Sequence, residues 1–185
     1  MNRRVIILLT LAVIVVGAIA AVGMASRVPP AVTKAPHAAH LHPGDSAPPF
    51  QLSSTAGFLD STAVTKPIFL ELFATWCPHC RRAVPILNEI YRQYGTRIQM
   101  IAVNASGIGS DEQSPETQSD VVAFAQALSV QYPVAFDPDL TVAGAYLGQG
   151  FPTVAIIDTK KKVASITSGE QTAAQLVKRI KAVLP

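Results

Sequence analysis

The sequence predicts an α/β domain with a central mixed sheet flanked by helices, and three patterns lead there. From residue 50 onward, strand-like and helix-like periodicities alternate, which suits a sheet carrying helices on its two faces. Residues 68–74 are a near-continuous apolar run, the mark of a strand buried on both sides. Residues 153–158 and 163–167 are two further strand-like runs joined by a lysine-rich turn, and they read as a hairpin.

An appendage precedes the domain. Residues 5–25 are an uncharged stretch of 21, and at about 1.5 Å of rise per residue a helix of that length crosses the roughly 30 Å of hydrocarbon in a bilayer. A cleavable signal peptide is the competing reading, because Ala18 and Ala20 fit an A-x-A site, but its apolar core normally runs to only about 7–15 residues. An uncleaved anchor over residues 1–27 is the expectation. Arg3 and Arg4 hold its start in the cytoplasm, against Arg27 on the other side. The expected location is therefore the plasma membrane, single-pass, with the remaining chain on the extracytoplasmic side. Residues 28–47, rich in Ala, Pro and His, read as a linker, with His37, His40 and His42 a polar tether in preference to a weak metal cluster.

The domain proper runs over 48–185. A short strand is expected at 50–52, the buried strand at 68–74, and a helix over 77–94 with Ile86, Leu87, Ile90, Tyr91 and Tyr94 on one side. Residues 98–103 read as the next strand and the polar segment 104–116 as a loop, followed by a helix with Val121, Val122, Ala125 and Leu128 on one face. A strand at 134–136, a short helix at 140–146, the hairpin, and a last helix over 171–184 with Leu176, Val177, Ile180, Val183 and Leu184 complete the order. Lys160, Lys161 and Lys162 are expected to form a solvated turn.

Charge narrows the function. Arg3, Arg4 and Arg27 flank the apolar segment, so of 15 Lys and Arg residues 12 remain against 12 Asp and Glu, a formally neutral remainder. No clustered positive charge is left to follow a nucleic-acid backbone. Only two cysteines occur, three positions apart. A structural disulfide usually closes a longer loop, and structural zinc normally takes four Cys or His ligands. Two cysteines in one turn point instead to reversible redox chemistry.

The central motif is Trp76-Cys77-Pro78-His79-Cys80, placed where the buried strand ends and a helix begins. The first helical turn leaves N–H groups unpaired and carries partial positive charge, so a thiolate at Cys77 is stabilised there. Pro78 suits that turn because it has no N–H to satisfy. His79, when protonated, adds a positive charge, and both effects favour the reduced form and make the pair more oxidising. Cys77 is the expected nucleophile, and Cys80, one turn into the helix, the resolving thiol. Glu71 shares a strand face with Phe69 and Phe73, so it is expected to be desolvated, with a raised pKa, and able to relay a proton to and from Cys80. Phe151-Pro152-Thr153 stands directly before a strand, a position that tolerates proline.

Through F-A-T-W-C-P-H-C, Y-P-V-A-F-D-P-D and G-F-P-T-V-A-I-I-D the chain resembles the thioredoxin superfamily, and within it the extracytoplasmic TlpA/ResA-like branch, over most of residues 48–184. The resemblance implies a thioredoxin-like fold with a helix-containing insertion over 104–130. It implies that Pro152 is the superfamily's cis-proline, lying beside the cysteines where Trp76, Phe151, Pro152 and Thr153 hold substrate chain. Glu71 falls where thioredoxins carry a buried aspartate, and Pro85 matches the proline that kinks their active-site helix. The Pro-His dipeptide is that of the oxidase DsbA, whose large helical insertion does not fit this length, whereas TlpA-like proteins are commonly reductants, some serving cytochrome c maturation.

The expected function is a thiol–disulfide oxidoreductase acting on exported proteins, with substrate reduction ahead of a DsbA-like oxidase direction. It would need no cofactor and no metal; its partners would be protein thiols and disulfides, the membrane, and a membrane redox protein that recycles the pair. Peroxide reduction is disfavoured because the P-x-x-x-T-x-x-C pattern is absent. An alternative of another class is a copper chaperone using Cys77, Cys80 and a histidine, since soft thiolates suit Cu(I).

Overall fold

The structure is a computed structural model that describes residues 41–109, 111 and 113–185. The expected anchor over 1–27, and His37 and His40 of the linker, lie outside the described residues. Among the described residues no helix is long and apolar enough to cross a membrane.

The elements in chain order are β1 (Gln51–Ser54), β2 (Gly57–Asp60), β3 (Ile68–Phe73), α1 (Pro78–Tyr94), β4 (Gln99–Asn104), α2 (Gln118–Ala127), β5 (Val134–Phe136), α3 (Thr141–Tyr146), β6 (Thr153–Ile157), β7 (Val163–Ser168) and α4 (Ala173–Lys181). The strands form one sheet in the order β2-β1-β5-β4-β3-β6-β7. Pairing is parallel for β3 with β4 and β4 with β5, and antiparallel elsewhere, so the sheet is mixed as the sequence predicts. The one strand not expected from sequence is β2. It is short and sits at the sheet edge with Phe58 70% exposed, so it offers no alternation of buried and exposed positions to read.

All six residues of β3 are buried, because the strand lies between β4 and β6 and is covered on both faces. Phe69 and Phe73 point into a layer with Cys80, Val84, Leu87 and Ile90 of α1, Val121 and Phe124 of α2, and Leu176 and Ile180 of α4. Ile68, Leu70 and Leu72 point the other way, against Val142, Ala143 and Tyr146 of α3 and Phe50 and Leu52. Each fully buried aliphatic side chain stabilises by about 1.5–3 kcal/mol, so the two layers hold the strand from both sides. Parity then puts Glu71 in the first layer, opposite Ala102 on β4 and Val154 on β6.

Several details refine the helices. The buried stripe of α1 runs Cys80, Val84, Leu87, Ile90, Tyr94, so the expected face is rotated toward the cysteine end and Ile86 and Tyr91 are only partly buried. Pro85 lies inside α1, where it has no N–H to return to the preceding turn. In α2 the buried positions are Val121 and Phe124, with Val122, Ala125 and Leu128 nearer the surface. A capping box of Thr117 and Asp120 starts α2, and one of Thr172 and Gln175 starts α4 slightly later than expected. The lysine turn is not wholly solvated. Lys161 is half-buried and its Nζ donates to the carbonyls of Ser61 and Val64, tying the hairpin to the segment before β3.

Candidate active site

Four residues separate the end of β3 from the start of α1, and the chain turns within them: Cys77 N–H donates to the Ala74 carbonyl at 3.1 Å. Cys77 is the N-cap of α1, with extended backbone, and its sulfur accepts the N–H of Cys80 at 3.4 Å. Pro78 occupies the first helical position, and no acidic side chain stands in the first turn to oppose a thiolate. Both cysteines are free thiols. Exposed Trp76 and Pro78 flank Cys77, whereas Cys80 faces inward from the helix.

The approach to Cys77 is pinned by the loop between β4 and α2. Trp76 Nε1–H donates to the Ile108 carbonyl at 2.9 Å and to Ser106 Oγ at 3.1 Å. Thr75 Oγ1 donates to Glu116 Oε1 at 2.6 Å, and Arg81 returns a guanidinium N–H to the Thr75 carbonyl at 3.3 Å. Ser106, Ile108 and Glu116 were not singled out from the sequence. A polar loop shows no periodicity that says which of its residues will meet a motif some 30 positions away.

Inside the fold, Glu71 is 3% exposed, and burial alone lifts its carboxyl from the ordinary 4.5 to about 8. It lines a small interior cavity together with Cys80 and Tyr132, walled by Phe73, Val84, Ala102, Phe124 and Val134. Burial first, then the Glu71 carboxyl, then the contact with Cys77 push the Cys80 thiol far above the ordinary thiol range. Cys80 therefore needs a base to become a nucleophile, and Glu71, titrating near neutrality, shares its cavity.

On the outer side, His79 meets a cluster that sequence did not reveal. Its Nδ1 lies 3.0 Å from Glu170 Oε2 and 2.7 Å from an Arg82 guanidinium nitrogen, and Arg82 Nε donates to Glu170 Oε1 at 2.7 Å. The one ring nitrogen faces a donor and an acceptor. Unprotonated it accepts from Arg82, and protonated it donates to Glu170. Arg82 and His79 together hold the Glu170 carboxyl down at about 2, with Arg82 the larger cause. The positive charge of Arg82 near Cys77 is thus partly neutralised by a carboxylate from the loop between β7 and α4.

The Gly150–Thr153 stretch comes to the same place. The Phe151–Pro152 peptide bond is cis, and the Phe151 ring packs edge-on against Trp76 with centroids 5.8 Å apart. Thr153 is fully buried, its hydroxyl donating to the Gly150 carbonyl at 2.7 Å and accepting the Gly148 N–H at 3.2 Å. Its part is to shape the loop beneath Pro152, since no atom of it is open to a substrate. Among the described residues no group of three or more His, Cys, Asp and Glu side chains is placed to hold a metal ion. The arrangement can do dithiol chemistry: a sulfur at a helix start, itself only 3% exposed but flanked by exposed Trp76 and Pro78, a second buried thiol one turn away, and a proton-accepting carboxyl under the second.

Comparison with known proteins agrees with this geometry. The Redoxin family pattern matches residues 42–184. The thiol-disulfide oxidoreductase ResA of Bacillus anthracis is 32% identical over 121 residues, which cover 65% of this chain and 65% of that protein's own length. ResA of Geobacillus thermodenitrificans is 29% identical over 147 residues, covering 77% of this chain and 78% of that one. Among solved structures, a candidate thiol:disulfide interchange protein DsbE from Chlorobium tepidum superposes with a TM-score of 0.64 at 28% identity, covering 77% of this chain and 98% of that one. The fold is thioredoxin-like, as the motifs implied.

Two outcomes follow from the electrostatics. The folded value of Glu71, about 8, lies above the ordinary 4.5, so the fold favours the protonated carboxyl. Its stabilising effect is complete below pH 4.5, declines as pH rises from there, and is lost above about 8, a change on the order of 5 kcal/mol. In Glu71→Gln the urea-unfolding free energy should lose that slope and keep a constant penalty of about 1–3 kcal/mol for the buried amide; a wild-type curve that is already flat between those limits contradicts the burial. For Glu170→Gln, freeing the charge of Arg82 should favour the Cys77 thiolate and move the dithiol/disulfide potential positive by on the order of 10 mV. A negative shift, measured by glutathione equilibrium, contradicts that sign.

Proposed function

The chain belongs to the Redoxin family, and from that premise we propose that it is a thiol–disulfide oxidoreductase that reduces disulfides in exported proteins through Cys77 and Cys80. The observation that carries the proposal is the pairing of two differently placed free thiols. Cys77 caps α1 and receives the Cys80 N–H, while Cys80 shares its cavity with Glu71.

Exchange then proceeds in two balanced steps. The Cys77 thiolate attacks one sulfur of a substrate disulfide; a Cys77–substrate bond forms, the substrate S–S bond breaks, and the other substrate sulfur leaves as thiolate. Cys80 next gives its proton to the Glu71 carboxylate, attacks the Cys77 sulfur, and expels the second substrate thiolate. Two electrons pass to the substrate, and the protein is left with a Cys77–Cys80 disulfide. Near neutral pH both forms of a carboxyl titrating at about 8 are available, so Glu71 can take this proton and later return it. Exposed Trp76, next to Cys77 in the chain, and the half-buried Phe151 packed against it form the surface on which the substrate segment lies, while Pro152, the residue after Phe151, is buried.

Reduction is the direction we assign from the likeness to the ResA branch, and Glu170 adds a small effect of the same sign by offsetting the Arg82 charge beside Cys77. Exported proteins whose cysteines must be kept reduced, apocytochromes c included, fit this chemistry. The apolar segment over residues 5–25 and the arginines before it support a plasma-membrane anchor with the domain on the extracytoplasmic side, recycled by a membrane dithiol protein. Copper carriage is less well supported, since His79, the histidine between the cysteines, is engaged by Arg82 and Glu170.

Trapping tests the roles. Cys77→Ser should abolish insulin reduction, whereas Cys80→Ser should accumulate mixed disulfides with substrate, seen on non-reducing gels; equal trapping by both variants would falsify the assignment. Direction is read from the equilibrium potential, expected nearer thioredoxin's roughly −270 mV than DsbA's roughly −120 mV, and the oxidase reading takes over if the latter is found.

A further inference from the structure

The two edges of the sheet are finished differently. β2 is four residues long and ends on Asp60, whereas β7 runs Val163-Ala164-Ser165-Ile166-Thr167-Ser168 with no charge and no proline to deter a further strand. Its start is already covered: Val163 N–H donates to the Asp45 carbonyl at 2.9 Å, and its carbonyl accepts the Gly44 N–H at 2.8 Å. The rest is open. Gly169 N–H donates to the Pro152 carbonyl at 2.8 Å, and from there the antiparallel ladder alternates. Ser168, opposite Thr153, and Ile166, opposite Ala155, therefore fall in the pairs whose N–H and C=O point away from β6. Among the described residues those outward groups have no hydrogen-bond partner.

A groove flanks this open edge on each face. On the α4 side it measures about 570 Å³ and lies between Ser165 and Thr167 of the strand and Gln175, Lys178 and Arg179 of the helix. On the α3 side a groove of about 250 Å³ lies among Ile166, Tyr146, Leu147 and Leu41. Each exceeds the roughly 30 Å³ that one water occupies, so each has room for a side chain. The first groove is cationic. Arg179 is half-buried, its guanidinium held by Ser165 Oγ at 2.9 Å, by the Val154 carbonyl at 2.9 Å and by Gln171 Oε1, all neutral acceptors. Among the described residues no carboxylate pairs with it, and burial alone shifts its pKa, downward. Glu170, at the end of the groove, is taken up by Arg82 and His79. A half-buried charge without a counter-ion is costly, so this groove favours an acid.

We propose that the open edge of β7 takes an extended segment of a partner protein as an eighth strand, with an acidic side chain over Arg179 and Lys178 and an adjacent apolar side chain beside Ile166 and Leu147 on the other face. Side chains of a strand alternate between faces, so the acid and the apolar residue are neighbours in the partner's sequence. The occupant is another protein: β7 has no acid to offer a second copy of itself, and residues 28–40, which lead to Leu41, contain no Asp or Glu. Docking does not depend on the dithiol reading, but its use in exchange does. β7 leads through Gly169 to Glu170, which is bonded to Arg82, five positions after Cys77, so a segment held on this edge is brought to the side of the reactive pair.

The test uses the full-length protein in detergent and cysteine-free nine-residue peptides that alternate glutamate with valine. The glutamate peptide should bind saturably, shift the amide signals of residues 164–168 and protect the Ile166 and Ser168 N–H groups from exchange. Lysine in place of glutamate should weaken binding by about tenfold or more, and Lys178→Glu, at an exposed helix position, by about threefold to fivefold with the circular dichroism unchanged. N-methylation of one alternate set of peptide amides should abolish binding, and of the other set leave it intact. Equal binding of the lysine and glutamate peptides, indifference to both methylations, or shifts confined to other elements overturns the proposal. Protection of the two amides that rises with protein concentration alone overturns it as well, because the edge would then serve self-association. Binding is read without redox turnover, so a protein that fails to reduce insulin but takes the glutamate peptide on β7 loses the exchange reading and supports this one.

Discussion

The backbone N–H of Cys80 points at the sulfur of Cys77, and the site is organised by that contact. It exists because β3 stops at Phe73 and α1 starts at Pro78, leaving just enough chain for one sulfur to cap the helix while the next cysteine is carried a turn inward. A helix start satisfies only part of its N–H groups internally. Using a sulfur as cap removes one of those deficits and gives the sulfur a donor that an ordinary surface cysteine lacks. Pro78 needs no partner at the next position, so local stability and reactivity ask for the same residues here.

On either side of this junction the surroundings differ in dielectric, and the chemistry divides accordingly. Outside, His79, Arg82 and Glu170 are about half exposed, with side-chain exposures of 54%, 57% and 45%, so their charges are screened and can only trim the potential of the pair. Inside, Glu71 and Cys80 share a small, largely apolar space, where an uncompensated charge is expensive. Modest electrostatic changes at the surface and large ones in the cavity are both needed: Cys77, beside the exposed Trp76 and Pro78, has to meet varied partners, and Cys80 has to stay protonated until it is called upon.

Legibility in the sequence followed the range of the interaction. The burial of Glu71 could be read because a strand alternates with period 2 and the run around it held no other polar residue. The cysteine pair and Pro78 could be read because a helix start is a local event. Glu170 could not, since it reaches Arg82 across 88 positions and rises from a loop with no pattern of its own. The same holds for Ser106, Ile108 and Glu116, which hold Trp76 and Thr75 from the far side of β4. Lys161 looked like a solvated charge because the carbonyls it bonds, on Ser61 and Val64, become neighbours only when the hairpin folds back. The capping box of Thr172 and Gln175 was a readable signal for the start of α4, and apolar periodicity alone placed that start too early.

A carboxyl under the second cysteine is poor design for stability. Packing an apolar side chain between Phe69 and Phe73 would avoid a desolvation penalty of several kcal/mol, and β3 is already held by apolar layers on both faces. Nor does Glu71 serve as half of an ion pair, because burial alone accounts for its shift. What the position supplies is a proton acceptor in a buried, largely apolar space beside a thiol that cannot otherwise ionise near neutral pH. The surrounding hydrophobic core can carry that cost, since the rest of β3 contributes five fully apolar buried residues to it. One strand position is left less stable than it could be, and in consequence the resolving thiol becomes a nucleophile only when a base one layer below is ready to receive its proton.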